Sequence, residues 1–168
     1  MGGIRIRYAT ALAAVPFLIW GCKDPDVTGL PPEAARVPDE QVTTVVRALY
    51  TGLKAPAREV IRTQQAWAAF WEQLHADQHP RPPLPPVDFD ESIVIAVAMG
   101  EQPSGGYAID VEGVYRTESR LHVVVRETSP GRSCVTPAVV LTPVVAILTQ
   151  RTEDEVTFVE RKTVHECE

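Results

Sequence analysis

Few residues in this chain are of a type and spacing that do chemistry. His75 and His79 stand four apart, which on a helix puts two imidazoles on one face, as in zinc sites. Pro80 follows directly and stops a helix there, and no third ligand is near in sequence. Two solvated histidines at a helix end are therefore expected. Asp88, Asp90 and Glu91 are hard oxygen donors, but they lack the glycine-turned spacing of a calcium loop and read as a solvated loop. Ser104 lies in Pro103-Ser104-Gly105-Gly106, without the flanking-glycine elbow that presents a hydrolase nucleophile. There is no phosphate-binding glycine loop, dinucleotide fingerprint or paired-cysteine metal motif. The expectation is a non-enzyme with no metal and no cofactor; a hydrolase built from scattered residues is the remote alternative.

The cysteines carry more information. Arg5 and Arg7 precede an apolar stretch over 8–20, shorter than the roughly 20 residues that span a bilayer, so 1–21 reads as a signal peptide. Leu18-Ile19-Trp20-Gly21-Cys22 resembles a bacterial lipobox, where a small residue precedes a cysteine that is diacylated at sulfur, with palmitate-type chains, and becomes the mature N-terminus. That resemblance implies a lipoprotein anchored through Cys22 on the extracytoplasmic side of a bacterial envelope membrane. Cysteine parity agrees, since an odd cysteine in an exported chain needs another use. Cys134 and Cys167 then remain as a pair that an oxidising compartment allows to join, two free thiols being the alternative.

Charge narrows the partners. The chain has 16 Lys plus Arg and 22 Asp plus Glu; without Arg5 and Arg7 the balance is 14 against 22, a net −8. Such a surface does not suit nucleic acid, whose phosphates demand clustered cations. Nor does it attract anionic lipid, so acyl chains must do the anchoring.

The elements that position these residues follow from periodicity. Segment 22–44 is rich in Pro, Asp, Glu and Gly and reads as a flexible tether, leaving 45–168 for one domain. Apolar runs at 45–53 and 59–62 are consistent with a strand pair. Thr63 is an N-cap, and Trp67, Phe70, Trp71 and Leu74 share one helical face. A stripe of that kind is core far more often than a ligand platform. Pro80, Pro82, Pro83, Pro85 and Pro86 make a stiff extended connector. The unbroken apolar run 92–99 suits a strand buried on both faces, with the aromatic helix over one of them. Tyr107, Ile109 and Val111 alternate, the phase shifts after Gly113 as at a bulge, and 117–119 is a hairpin turn. Pro143 marks a strand start, and Val156 and Phe158 belong to a last strand. The fold class is α+β: about seven mostly antiparallel strands, as a sandwich or barrel, with one N-terminal amphipathic helix.

One loop is specified beyond what a connection needs. Between two strong strands the chain reads Gly100, Glu101, Gln102, Pro103, Ser104, Gly105, Gly106, Tyr107. Pro103 fixes one φ and the glycines permit positive φ, while Tyr107 points into the core in a plain hairpin turn. This loop, with Trp67 and Trp71 on a helix, Val87-Asp88-Phe89 before a buried strand, and later Pro130 and Pro143, is similar to the PrcB C-terminal domain family over about 59–148. The resemblance implies a non-enzymatic role: the family's namesake is a lipoprotein that helps stabilise a surface protease complex. It makes Gly100, Gln102, Pro103, Ser104, Gly105, Gly106 and Tyr107 the candidate partner-binding loop, with another protein, a protease among them, as partner. The loop also resembles the first binding loop of chagasin-type cysteine protease inhibitors, which implies inhibition as the alternative.

Only a thiol forms the lipid thioether, so Cys22→Ser is expected to abolish incorporation of a palmitate analogue during metabolic labelling. Equal labelling of wild type and variant would sink the lipoprotein reading.

Overall fold

The computed structural model describes residues 29–167; the segment read as a signal peptide, 1–21, and Cys22 lie outside the described residues. The strands are β1 (Ala35–Arg36), β2 (Thr43–Ala48), β3 (Ala57–Ile61), β4 (Ser92–Ala98), β5 (Ala108–Arg116), β6 (Arg120–Pro130), β7 (Val144–Gln150) and β8 (Glu155–His165). Among the described residues a single α-helix, α1 (Gln64–Leu74), lies between β3 and β4. Two four-stranded sheets form, ordered β2-β7-β4-β3 and β1-β5-β6-β8. They pack as a sandwich with open edges, not as a closed barrel. The matching sequence expectation thus holds for the sandwich and for the mostly antiparallel pairing, but not for the barrel.

The apolar run of β4 explains the layering, because alternate side chains leave a strand on opposite faces. Ile93, Ile95 and Val97 point to the second sheet and pack with Leu121, Val123 and Val125 of β6. Val94, Ala96 and Ala98 point the other way, to Trp67, Phe70, Trp71 and Leu74 of α1. The helix-facing surface is paved with small residues, Ala96 standing directly opposite Ala146 of β7. Those alanines leave the depth that two indoles fill. Thr63 caps α1 as expected, its hydroxyl accepting from the Ala66 amide at 3.2 Å.

The proline-rich connector has a second task. An extended proline segment has no internal hydrogen bonds, so its carbonyls are free to accept. Trp67 Nε1 donates to the Pro85 carbonyl and Trp71 Nε1 to the Pro82 carbonyl, each at 3.0 Å. Both buried indoles therefore keep their polar atom satisfied while their rings fill the core.

The structure corrects the sequence reading at several points. The segments expected to form a strand pair give β2 and β3, which lie at opposite edges of one sheet, separated by β7 and β4. Central β4 and β7 bury more apolar surface than a local hairpin would. The helix is not N-terminal, since three strands precede it. The described residues hold eight strands: β1, inside the segment read as tether, pairs with the end of β5. The β5 register does shift, between Val111 and Gly113. β8 runs parallel to β6 along its whole length, which a long connection through β7 permits.

Arg58 of β3 ties the two sheets together. Its guanidinium bonds Glu160 of β8 through two nitrogens, at 2.7 and 2.9 Å, and Glu127 of β6 at 2.7 Å. A further nitrogen donates to the Ala98 carbonyl at 2.8 Å. The Glu160 carboxylate, followed by Glu127, raises the Arg58 pKa above its ordinary value against the opposing effect of desolvation.

Trp67 has no exposed surface, so Trp67→Ala is expected to lower stability by roughly 3–5 kcal/mol, as large aromatic truncations do. Trp67→Phe should lie between that and wild type, because it leaves the Pro85 carbonyl without its donor. Denaturant unfolding monitored by circular dichroism checks both; a Trp67→Ala variant as stable as wild type would contradict the layering.

Candidate protein-binding loops

Three loops meet at the end of the sandwich where β2, β4 and β6 finish and β3, β5 and β7 begin: 49–56, 99–107 and 131–143. Backbone bonds stitch them into one frame. Gln102 and Leu141 exchange amide and carbonyl bonds at 2.7 and 3.0 Å, Glu101 N donates to the Lys54 carbonyl at 3.0 Å, and Gly105 N to the Pro137 carbonyl at 2.9 Å. Thr51 and Thr142 bond reciprocally: Thr51 N donates to Thr142 Oγ1 at 2.6 Å, and that hydroxyl donates back to the Thr51 carbonyl at 2.9 Å.

Within the candidate loop the two central glycines are needed for different reasons. A Cβ on buried Gly105 would sit 2.8 Å from Pro137 Cδ, so its side is closed by the neighbouring loop. Gly106 has φ +88°, which L side chains rarely adopt. The positive φ that the glycines permit is thus used at Gly106 and not at Gly105, and Gly100 has it as well, at +74°. Pro103 is exposed and Ser104 half-buried, its hydroxyl donating to the Gly105 carbonyl at 3.1 Å. Gln102 Nε2 donates to the Met99 carbonyl at 3.1 Å, stiffening the start of the loop. Tyr107 is half-buried against the inner core, just outside β5. Its ring is thus turned inward but not fully enclosed.

Apolar side chains stand open at the same end, two of them from the run 45–53 that reads as a strand. Leu49, Tyr50 and Val140 are 47%, 59% and 53% exposed. They border or flank a cleft of about 310 Å³ lined by Tyr50, Lys54, Asp77, Glu101, Val140 and Thr142. Sequence reasoning missed this surface because 45–53 looks like one continuous apolar strand. β2 stops at Ala48, and beyond it the Leu49 carbonyl accepts from Thr142 N at 2.8 Å in place of a strand partner. Gly52 was the available signal, a turn residue inside the run.

The other candidates are not brought together. His75 caps the C-terminus of α1, its Nδ1 2.8 Å from Gln78 Oε1, while His79 lies in the exposed bend that follows. Asp88 Oδ1 accepts from the Asp90 amide at 2.9 Å, a local loop bond. Among the described residues, no three of His, Cys, Asp and Glu converge as metal ligands. Cys134 and Cys167 are joined, with Cα atoms 5.0 Å apart, fastening loop 131–143 to the chain just beyond β8.

Residues 93–150 match the PrcB C-terminal family. The match starts in β4 and runs through β7, so it contains the glycine loop and the segment that braces it, and omits the tryptophan helix. No curated protein and no solved structure matches the chain.

The loop geometry separates its residues by consequence. Gly105→Ala should destabilise by about 1–3 kcal/mol through overpacking against Pro137, and Gly106→Ala by about 1–2 kcal/mol through backbone strain. Ser104→Arg should stay within about 0.5 kcal/mol of wild type. Thermal unfolding of the three variants decides; equal behaviour would show that the loops do not brace each other.

Proposed function

We propose that the protein is a lipid-anchored, extracytoplasmic interaction module that docks on a protease as a non-catalytic accessory subunit, using the end of the sandwich formed by 49–56, 99–107 and 131–143. The observation that carries this reading is a hydrogen-bonded loop frame that leaves Leu49, Tyr50 and Val140 open to solvent. A preorganised surface loses little conformational entropy on association. Exposed aromatic and aliphatic groups beside polar ones make the anchors of protein interfaces. The PrcB C-terminal match, which covers loops 99–107 and 131–143, supports a protease complex as the setting, and the lipobox-like segment ending at Cys22 supports the membrane address. Ser104, with its hydroxyl turned to the adjacent Gly105 carbonyl, serves here as a contact residue and not as a nucleophile.

Affinity capture from membranes of the source organism, with full-length wild type, Tyr50→Asp and Ser104→Arg as baits, tests the proposal. A protease should co-purify with wild type, be recovered at least tenfold less with either variant, and have a shorter lifetime in cells that lack the protein. A captured protease whose activity falls on addition of the protein would establish the inhibitor alternative. Equal capture by all three baits would move the contact surface away from these loops.

A further inference from the structure

The sheet edges differ in how they are closed. β1 has two residues and β3 five, and β2 carries a register irregularity between Thr44 and Val46. Short and irregular edges of this kind resist pairing with another chain. Most of β5 is left open by the short β1, but it is bulged between Val111 and Gly113; β8 is long and regular, with 11 residues paired throughout with β6 and, among the described residues, with no other strand, and it ends the sheet order. The Gly131 amide donates to the His165 carbonyl at 2.8 Å on the β6 side, so by strand alternation the backbone groups of Phe158, Glu160, Lys162 and Val164 face outward.

We infer that β8 is a homodimer edge, pairing antiparallel with β8 of a second copy across a two-fold axis at Arg161 and joining the four-stranded sheets into one continuous sheet. The charges single out this partner and this register. Arg58, Glu127 and Glu160 form one ion cluster with a net single negative charge beside the open edge. Two positions on, Lys162 is exposed and has no carboxylate partner among the described residues. With Arg161 at the axis, Lys162 of each copy stands opposite Glu160 of the other, and each negative cluster gains the cation it lacks. The same register sets Val164, 59% exposed, against half-buried Phe158, both on the face that continues the inner core.

Backbone and electrostatics agree with that placement. Glu160 with Lys162 and Phe158 with Val164 are all outward-facing positions, as hydrogen-bonded antiparallel pairs require. Arg161 faces itself in a non-hydrogen-bonded pair, where like charges would repel. Each Arg161 is drawn back within its own copy by Glu112, 3.1 Å away, a carboxylate it shares with Arg126 at 2.8 Å, so the repulsion at the axis is reduced and not abolished. Shifting the axis by one residue either way sets Glu160 against Glu160 or Lys162 against Lys162. Beyond the strand, the Cys134–Cys167 link holds the end of the edge extended before any partner arrives, which limits the ordering required on pairing.

Sedimentation of the full chain in detergent micelles, with single-residue variants, tests the pairing. A concentration-dependent dimer is expected, weakened at least tenfold by Lys162→Glu. Oxidation of Arg161→Cys should give a covalent dimer, because Cα atoms of a non-hydrogen-bonded antiparallel pair lie about 4.5 Å apart, within disulfide reach. Thr157→Cys, opposite His165 in this register, should not cross-link to itself. A wild type that stays monomeric at hundreds of micromolar would overturn the inference, as would an unchanged dimer in Lys162→Glu. Cross-linking through Thr157→Cys but not Arg161→Cys would overturn the register. Loss of protease capture leaves these readouts unmoved, so the two proposals stand or fall separately.

Discussion

The pairing of β4 with β7 at the centre of one sheet is the constraint from which the remaining architecture follows. Both strands are apolar on both faces, so neither face can meet water, and the sheet needs cover on each side. The second sheet supplies one cover and α1 the other. The two covers make different demands on the central strands. Facing the second sheet, Ile93, Ile95, Val145 and Ile147 interdigitate with branched residues of like size. Facing the helix, Ala96, Ala98 and Ala146 recede so that Trp67 and Trp71 can lie close. Enlarging any of those alanines would lift the helix from the sheet, because packed interiors have no spare volume.

The helix cover in turn explains the proline-rich connector. A buried indole needs an acceptor for its N–H, and carbonyls inside a strand ladder or a helix turn already have a backbone donor. The connector crosses the tryptophans and offers carbonyls that no ladder claims. The stiffness that suits a spacer also holds those acceptors in place. At the opposite side of the same sheet Arg58 does a comparable job between layers, bringing the carboxylates of β6 and β8 against β3. Its charge-assisted bonds are directional, and so they fix how the two sheets align, which apolar packing alone leaves adjustable.

Because β4 ends and β7 begins at the same end of the sandwich, the loops leaving them are forced together there. Glycine at 105 lets loop 99–107 press on Pro137, and the Thr51–Thr142 exchange brings loop 49–56 into the same frame. Cys134 then fastens that frame to the chain beyond β8. The candidate contact surface and the open β8 edge are therefore both held by segments that converge on loop 131–143. A segment with little secondary structure of its own thus has the widest mechanical reach in the domain.

By itself the sequence determined whatever depends on period and local stereochemistry. The stripe from Trp67 to Leu74, the Thr63 cap, the doubly buried 92–99 run, the shift near Gly113 and the break at Pro143 all reflect side chains within one element, and each is legible without knowing what packs on it. The glycine loop was legible too, as a place where consecutive glycines signal a demand beyond a turn. Only tertiary structure decided which strands are neighbours, because β2 and β3 could have paired locally and β8 could have run either way beside β6. It also decided that Gly105 answers to Pro137, that Leu49 and Tyr50 leave the strand they resemble, and that Arg58 meets Glu127 and Glu160 across sequence separations of 69 and 102. These outcomes are set by competition between distant surfaces for burial and for hydrogen-bond partners, and no local window of sequence contains both competitors.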